Sequence, residues 1–332
     1  MRYYTIVITP PVPLPGKNAA SFKPITFTSL TSAGRADGAA LQVDLDLFQG
    51  WYHQPTQNGY IKISGVNFAD LQQAFNLNPF GTNYCGIKVY VGMSKGLPYA
   101  TPKQAGLVID GSIFQAFGNW QGNQTSLDLI VSAANYIPNE DINLTCNWLK
   151  VQNLQDAITQ TLNTAYKGVP VLGTISPELR YTEDQVGQYD NLYAFSQYVN
   201  EVSKQINPAK NYQGVGIAST SSGFLLYDGT TPPPEIVKID FTDIIGNLTW
   251  INTYTVQAKL VMRADLDVGT IVSFPRGLPV INTAGSYAQV RYDISFNGQF
   301  SVNSVRHVGS SRQPDGNSWC TIIECVIPGK AS

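Results

Sequence analysis

Charge is what this chain has least of. Lys, Arg, Asp and Glu make up 13% of its 332 residues, roughly half the share of an ordinary soluble domain. The formal net charge of −2 leaves no clustered excess of Lys and Arg for gripping nucleic acid by its phosphates, and no sequence-specific nucleic-acid binding is expected. No run of about 18 apolar residues occurs, so no membrane anchor is expected. The opening MRYYTIVITPPVPLPG has one basic residue and a short apolar run broken by prolines, which does not read as a signal peptide. Histidine occurs twice, at His53 and His307, and the four cysteines, Cys85, Cys146, Cys320 and Cys325, lack CxxC spacing. Neither a metal site nor a disulfide framework is signalled, and buried free thiols are the expectation. There is no GxSxG, HExxH, P-loop or strand-to-helix GxGxxG, and no cofactor is expected.

Hydrophobic residues at 43% and aromatics at 11% are ample for a sizeable core. With so little charge, Asn, Gln, Ser, Thr and Gly must cover most of the surface. Such a surface repels its own copies weakly, so oligomerisation is the leading expectation.

Periodicity divides the chain. In LQVDLDL, Leu41, Val43, Leu45 and Leu47 alternate with Gln42, Asp44 and Asp46, the signature of a half-buried strand. Tyr3 to Ile8, YIKISGV, GIKVYVG, AGLVIDGSIFQAFG and SLDLIVSAANYI are further strand candidates, with Gly, Asn or Pro punctuation. The expected first β domain covers residues 1–145. Residues 146–213 change character: Leu154, Ile158, Leu162 and Ala165 recur at helical spacing before Gly168, and Leu192, Phe195, Val199, Val202 and Ile206 do so before Pro208. Strand patterning returns over 214–332, with a stiff connector at Pro232–Pro234 inside that span. The fold class read from this is mainly β with an α insert (α+β), compatible with two barrels joined by a helical segment.

The stretch VRHVGSSRQPDGNSWCTIIECV, Val305 to Val326, gathers most of the candidate chemistry. Folded as a hairpin about Pro314-Asp315-Gly316, it places His307 roughly opposite Cys320. A Cys–His nucleophile also needs a depressed thiol pKa and an orienting group, neither of which the sequence supplies. Glu178, Glu183, Asp184 and Asp190 cluster, but a glycosidase pair needs opposed carboxylates across a cleft, and a solvated loop is the plainer reading. His53 sits in an aromatic loop with no second histidine near it. No catalytic residue is assigned, and the protein is not expected to be an enzyme. The tryptophans are scattered over every segment and favour core or interface packing; a carbohydrate-binding virion or adhesion protein of jelly-roll type is the alternative reading.

Several stretches resemble one family. IKISGVNFADLQQ with GIKVYVGMSKGLP, GLVIDGSIFQAFGNWQGNQTSLDLIV, LVMRADLDVGTIVSFP, and the closing pattern V-x-H-x-G-x-x-R-x-P-x-x-x-x-W-x-T are similar to the baseplate hub proteins of bacteriophage tails, particularly contractile ones. Where hubs often carry Gly-Asp before the arginine, this chain has Gly309-Ser310-Ser311. The resemblance implies a homotrimer whose two tube-like β-barrel domains per subunit make a pseudo-sixfold ring. That ring joins the hexameric tail tube, or its distal initiator, to the trimeric central spike, contacts other baseplate proteins and lets DNA pass. It implies a virion component assembled in the host bacterial cytoplasm. Gly111, Trp120, His307, Pro314 and Trp319 then carry structural roles in the matching motifs.

Overall fold

The computed structural model describes residues 2–10, 23–50, 55, 57–78, 84–93, 102–133, 143–209, 212–229, 235–275, 296 and 298–327. The first third folds as β1 (Arg2–Thr9), β2 (Ile25–Thr28), β3 (Gln42–Gln49), β4 (Gln57–Ser64), two short helices α1 (Phe68–Gln72) and α2 (Ala74–Leu77), β5 (Gly86–Met93), β6 (Gly106–Gln121) and β7 (Gln124–Ala133). Alternation places the side chains: in β3, Val43, Leu45 and Leu47 are buried while Gln42, Asp44 and Asp46 stay half-buried, as a period of two requires. The sequence pattern did not reveal α1 and α2. At 5 and 4 residues they are too short for helical periodicity to show, and the local signal is Asn67, whose side chain accepts from the Asp70 amide at 2.8 Å as an N-cap.

The middle third holds β8 (Leu144–Trp148), α3 (Leu154–Ala165), β9 (Val171–Leu172), β10 (Gln185–Tyr189), α4 (Leu192–Ile206), β11 (Gly216–Thr220) and β12 (Gly223–Tyr227). Both long helices start at an asparagine whose side chain accepts a first-turn amide, Asn153 from Gln155 and Asn191 from Ala194. They bury the faces expected from the spacing, Leu154, Ile158 and Leu162 in α3 and Leu192, Phe195, Val199 and Val202 in α4. These pack into one core that also contains Trp148, Ile217, Phe224 and Leu226. The β11–β12 hairpin separates two cores: Ile217, Phe224 and Leu226 face the middle one, while Ala218, Leu225 and Tyr227 face the core of the last segment.

That last segment comprises β13 (Ile236–Lys238), β14 (Thr249–Trp250), β15 (Thr255–Val261), β16 (Ile271–Ser273), β17 (Gln299–Ser310) and β18 (Trp319–Val326). Among the described residues its strands do not form a second, separate barrel. Among the described residues no sheet closes, and the first and last segments share one 13-stranded sheet ordered β14-β15-β18-β17-β3-β4-β7-β6-β5-β1-β2, with β16 and β13 branching from β17. The expectation of two tube-like barrels joined by a helical segment is corrected to this extent, and the reason lies in the length of β17. Its first residues pair with β16, Ser301 against Ile271. Beyond a bulge between Val302 and Ser304, its remainder pairs antiparallel with β3, Val305–Ser310 against Gln49–Asp44. One 12-residue strand therefore belongs to both β segments.

Candidate functional site

The β17–β18 hairpin forms as its turn residues require, but its register differs from the expected one. His307 is opposite Thr321, and Cys320 is opposite Val308. His307 therefore points into the core and Cys320 to the other face of the sheet, because adjacent strand positions alternate. His307 is 5% exposed. Its Nδ1 lies 3.0 Å from Thr321 Oγ1, which accepts from the Arg263 amide at 2.8 Å and donates to the Arg263 carbonyl at 3.1 Å. The imidazole tautomer sets which partner donates in the His307–Thr321 bond. Burial lowers its pKa to about 4, only partly opposed by Asp265, so the ring is neutral near pH 7. All four cysteines are free and buried. Burial raises the Cys320 thiol despite Lys259, Arg2 and Arg306 nearby and raises Cys325 further, opposite to what a nucleophile needs.

The other motif residues secure the hairpin or lie apart from it. Gly309 faces Trp319 across the ladder, and a Cβ there would lie 2.3 Å from the Ser318 carbonyl oxygen. Trp319 is buried with the first segment's core and donates from Nε1 to the Gly92 carbonyl at 2.8 Å. The Arg2 guanidinium donates to the Ser310 carbonyl at 2.6 Å and to those of Gln313 and Asp315, and Arg312 donates to the Gly38 and Ala40 carbonyls. These bonds pin the hairpin tip to β1 and to the approach to β3. Pro314 sits exposed in that tip. Gly111 is within β6, between Ile87 of β5 and Ala133 of β7. Trp120 is 65% exposed at the end of β6, edge-on to Phe68 at 5.0 Å. Glu178, Glu183, Asp184 and Asp190 are all exposed, as a solvated loop predicts. His53, Trp51, Tyr52 and Pro232–Pro234 lie outside the described residues.

Sequence reasoning missed a buried ionic junction. Arg263 binds Asp265 bidentately, Nε to Oδ1 at 3.0 Å and Nη2 to Oδ2 at 2.7 Å, and binds Asp243 through Nη1 at 2.7 Å. The second Asp243 oxygen accepts from Gln104 Nε2 at 2.9 Å. Gln104 precedes β6, whereas Asp243 and Arg263 flank β15, so the cluster locks the first segment to the last. In sequence Arg263-Ala264-Asp265 is an ordinary charged dipeptide spacing, and only the fold brings Asp243 and Gln104 to it.

The surface with the most functional information is the outward face of the large sheet. In β3, β4, β5, β6, β7, β15, β17 and β18, each charged residue points outward: Asp44, Asp46, Lys62, Lys88, Asp110, Asp128, Lys259, Arg306 and Glu324. Neighbouring strands align them in rows. Asp44, Lys62 and Asp128 lie directly across β3, β4 and β7. Asp46 binds Arg306 bidentately, Nε to Oδ1 at 2.7 Å, and Lys88 meets Asp110 at 3.0 Å. Asp128 accepts from Tyr60 at 2.5 Å, Asn119 at 2.6 Å and Ser126 at 3.0 Å. Burial alone would raise its pKa, but these bonds, with Lys62, leave it below the usual carboxylate value. Two shallow grooves of about 570 and 640 Å³ mark the face, one beside Lys62 and Asp128, the other between Tyr60 and Arg306.

No protein-family model matches the sequence, and no curated protein matches it. Solved structures do. The 43 kDa tail protein of prophage MuSo2 from Shewanella oneidensis aligns with a TM-score of 0.51 at 9% identity, over 97% of this chain and 96% of its own. The tail protein from Neisseria meningitidis MC58 aligns with a TM-score of 0.50 at 10% identity, over 98% and 97%. A chain of the lidless PdpA–VgrG complex aligns with a TM-score of 0.52 at 9% identity, over 99% of this chain and 65% of that one. The chain thus has the fold of phage tail proteins, in agreement with the baseplate-type resemblance of its strand motifs.

Proposed function

We propose that this chain is the structural hub of a phage tail baseplate, a homotrimer that joins the tail tube, or its distal initiator, to the central spike and lets DNA pass. The observation that carries the reading is the end-to-end fold likeness to two phage tail proteins, over at least 96% of each partner chain. Two features are in keeping with it. Among the described residues the large sheet ends at three short strands, β2, β14 and β13, whose outer backbone groups are templates for pairing with another subunit. A ring of identical subunits pairs every such edge without leaving a sticky terminus. The assignment is structural and non-enzymatic: the thiols are pushed away from reactivity, and the loop carboxylates are dispersed in solvent. Native mass measurement, alone and with co-expressed tube and spike proteins, tests the assembly. A trimer is expected in at least the second case, and a monomer in both overturns it. Cys320→Ala and Glu178→Gln should leave any tail-linked wall-degrading activity intact, and a specific loss in a folded, assembled variant overturns the non-enzymatic assignment.

A further inference from the structure

Two grooves on the outward face of the large sheet meet at one ring. They enclose about 570 and 640 Å³, within the roughly 300–1,000 Å³ of small-ligand clefts. Tyr60 lines the second groove, and its hydroxyl donates at 2.5 Å to Oδ1 of Asp128, which lines the first. That bond fixes the phenol ring while leaving the residue 43% exposed. Phe117, directly across the ladder from Asp128, presents a second ring and is 49% exposed. Rings so placed add little to the fold, because much of their apolar surface stays in water.

The lining around these rings has a definite chemistry. Residues with side-chain amides number five in the first groove and two in the second, and each amide both donates and accepts. Asp128 is itself buried and accepts from Asn119 and Ser126 through Oδ2. Its Oδ1 accepts from Tyr60, and a carboxylate oxygen has two lone pairs, so Oδ1 has capacity for a further hydroxyl. Formal charge nearly cancels: Asp44, Asp46, Asp128 and Glu324 share the two grooves with Lys62, Arg306 and Arg312, and Arg306 is already bound to Asp46. A strongly charged ligand therefore finds little net field to hold it. A protein partner fits no better, since the buried centre of a protein interface is depleted of charged residues, and here they lie along both grooves.

We propose that the two grooves form one trough for an uncharged oligosaccharide, with Tyr60 and Phe117 stacking on sugar rings and the amides and Asp128 binding the hydroxyls. A pyranose is polar around its edge and apolar on its faces. Its C–H groups meet the negative face of an aromatic ring favourably, and its hydroxyls, each a donor and an acceptor, need partners of both kinds. Exposed rings beside amides supply both. The proposal goes beyond the hub reading and does not rest on it, because the trough is complete within one chain.

The test uses the full chain and saturation-transfer difference NMR with maltotriose, cellotriose, tri-N-acetylchitotriose and, as the charged counterpart, trigalacturonate. At least one neutral trisaccharide should bind, with saturation strongest at its ring C–H protons, and trigalacturonate should not. Tyr60→Ala and Phe117→Ala, on different strands, should each weaken that binding about tenfold, the loss of one ring contact. Tyr60→Phe keeps the ring and should lose less, which keeps the test open if one alanine variant misfolds by circular dichroism. Trp120→Ala, which removes an exposed ring that lines neither groove, should bind as wild type does. Absence of saturation transfer from every neutral trisaccharide would overturn the proposal. So would equal binding of trigalacturonate, which marks an anion site, or binding that survives both ring substitutions in folded protein. A face used by a protein partner instead would give no sugar signal together with a lower native mass in Tyr60→Ala, and that result also overturns it.

Discussion

Acid should destabilise this protein through one side chain, and the effect can be isolated. His307 has a folded-state pKa of about 4 because burial penalises its charged form, whereas an unfolded-chain histidine titrates near 6.5. A depressed histidine pKa contributes stability that is fully present above the unfolded value, and it is lost as pH falls from there through about 4. In that window the unfolded chain takes up a proton that the folded protein refuses. The whole shift corresponds to roughly 3 kcal/mol, and about 2 kcal/mol should already be lost by about pH 5. Carboxylates titrate in the same range, so the informative quantity is a difference between proteins. His307→Gln keeps an amide that can donate to Thr321 Oγ1 but cannot titrate. Urea unfolding of both proteins at about pH 7.5 and about pH 5 should show the wild type losing about 2 kcal/mol more than the variant. Parallel losses would refute the reasoning, because they would mean that His307 titrates alike in both states.

Removing the cation from the buried junction in Arg263→Met leaves Asp243 and Asp265 facing each other without a counter-charge, and should cost about 3–5 kcal/mol in denaturant unfolding; a loss under about 1 kcal/mol would show the cluster to be hydrated. Gly309→Ala forces a Cβ against the Ser318 carbonyl and should destabilise by at least about 1–3 kcal/mol, with an unchanged midpoint as the contrary result. Trp319→Phe strips the Gly92 carbonyl of its indole donor and should lower the thermal midpoint by an amount equivalent to about 1–3 kcal/mol. Trp120→Ser, at a solvent-facing site, should leave unfolding within about 0.5 kcal/mol of wild type.

What the sequence determined by itself was local. Alternation in Leu41–Leu47 and helical spacing from Leu154 and Leu192 fix which side of each element is apolar, and that is settled by residue order before any long-range contact forms. Turn residues at Pro314-Asp315-Gly316 made the last hairpin legible for the same reason. Its register was not legible, because sliding one strand by a residue preserves the turn signal while moving every side chain to the other face. Only the packed sheet, with Trp319 reaching Gly92 and Gly309 pressed against Ser318, decides that His307 meets Thr321 while Cys320, also buried, turns to the opposite face of the sheet. Tertiary structure likewise decided that β17 serves both β segments, that Gln104 meets Asp243 across 139 positions of sequence separation, and that Asp46 faces Arg306 across 260. Such pairings depend on how strands are ordered in the sheet, and strand order is a property of the whole chain's hydrophobic burial that no local pattern encodes.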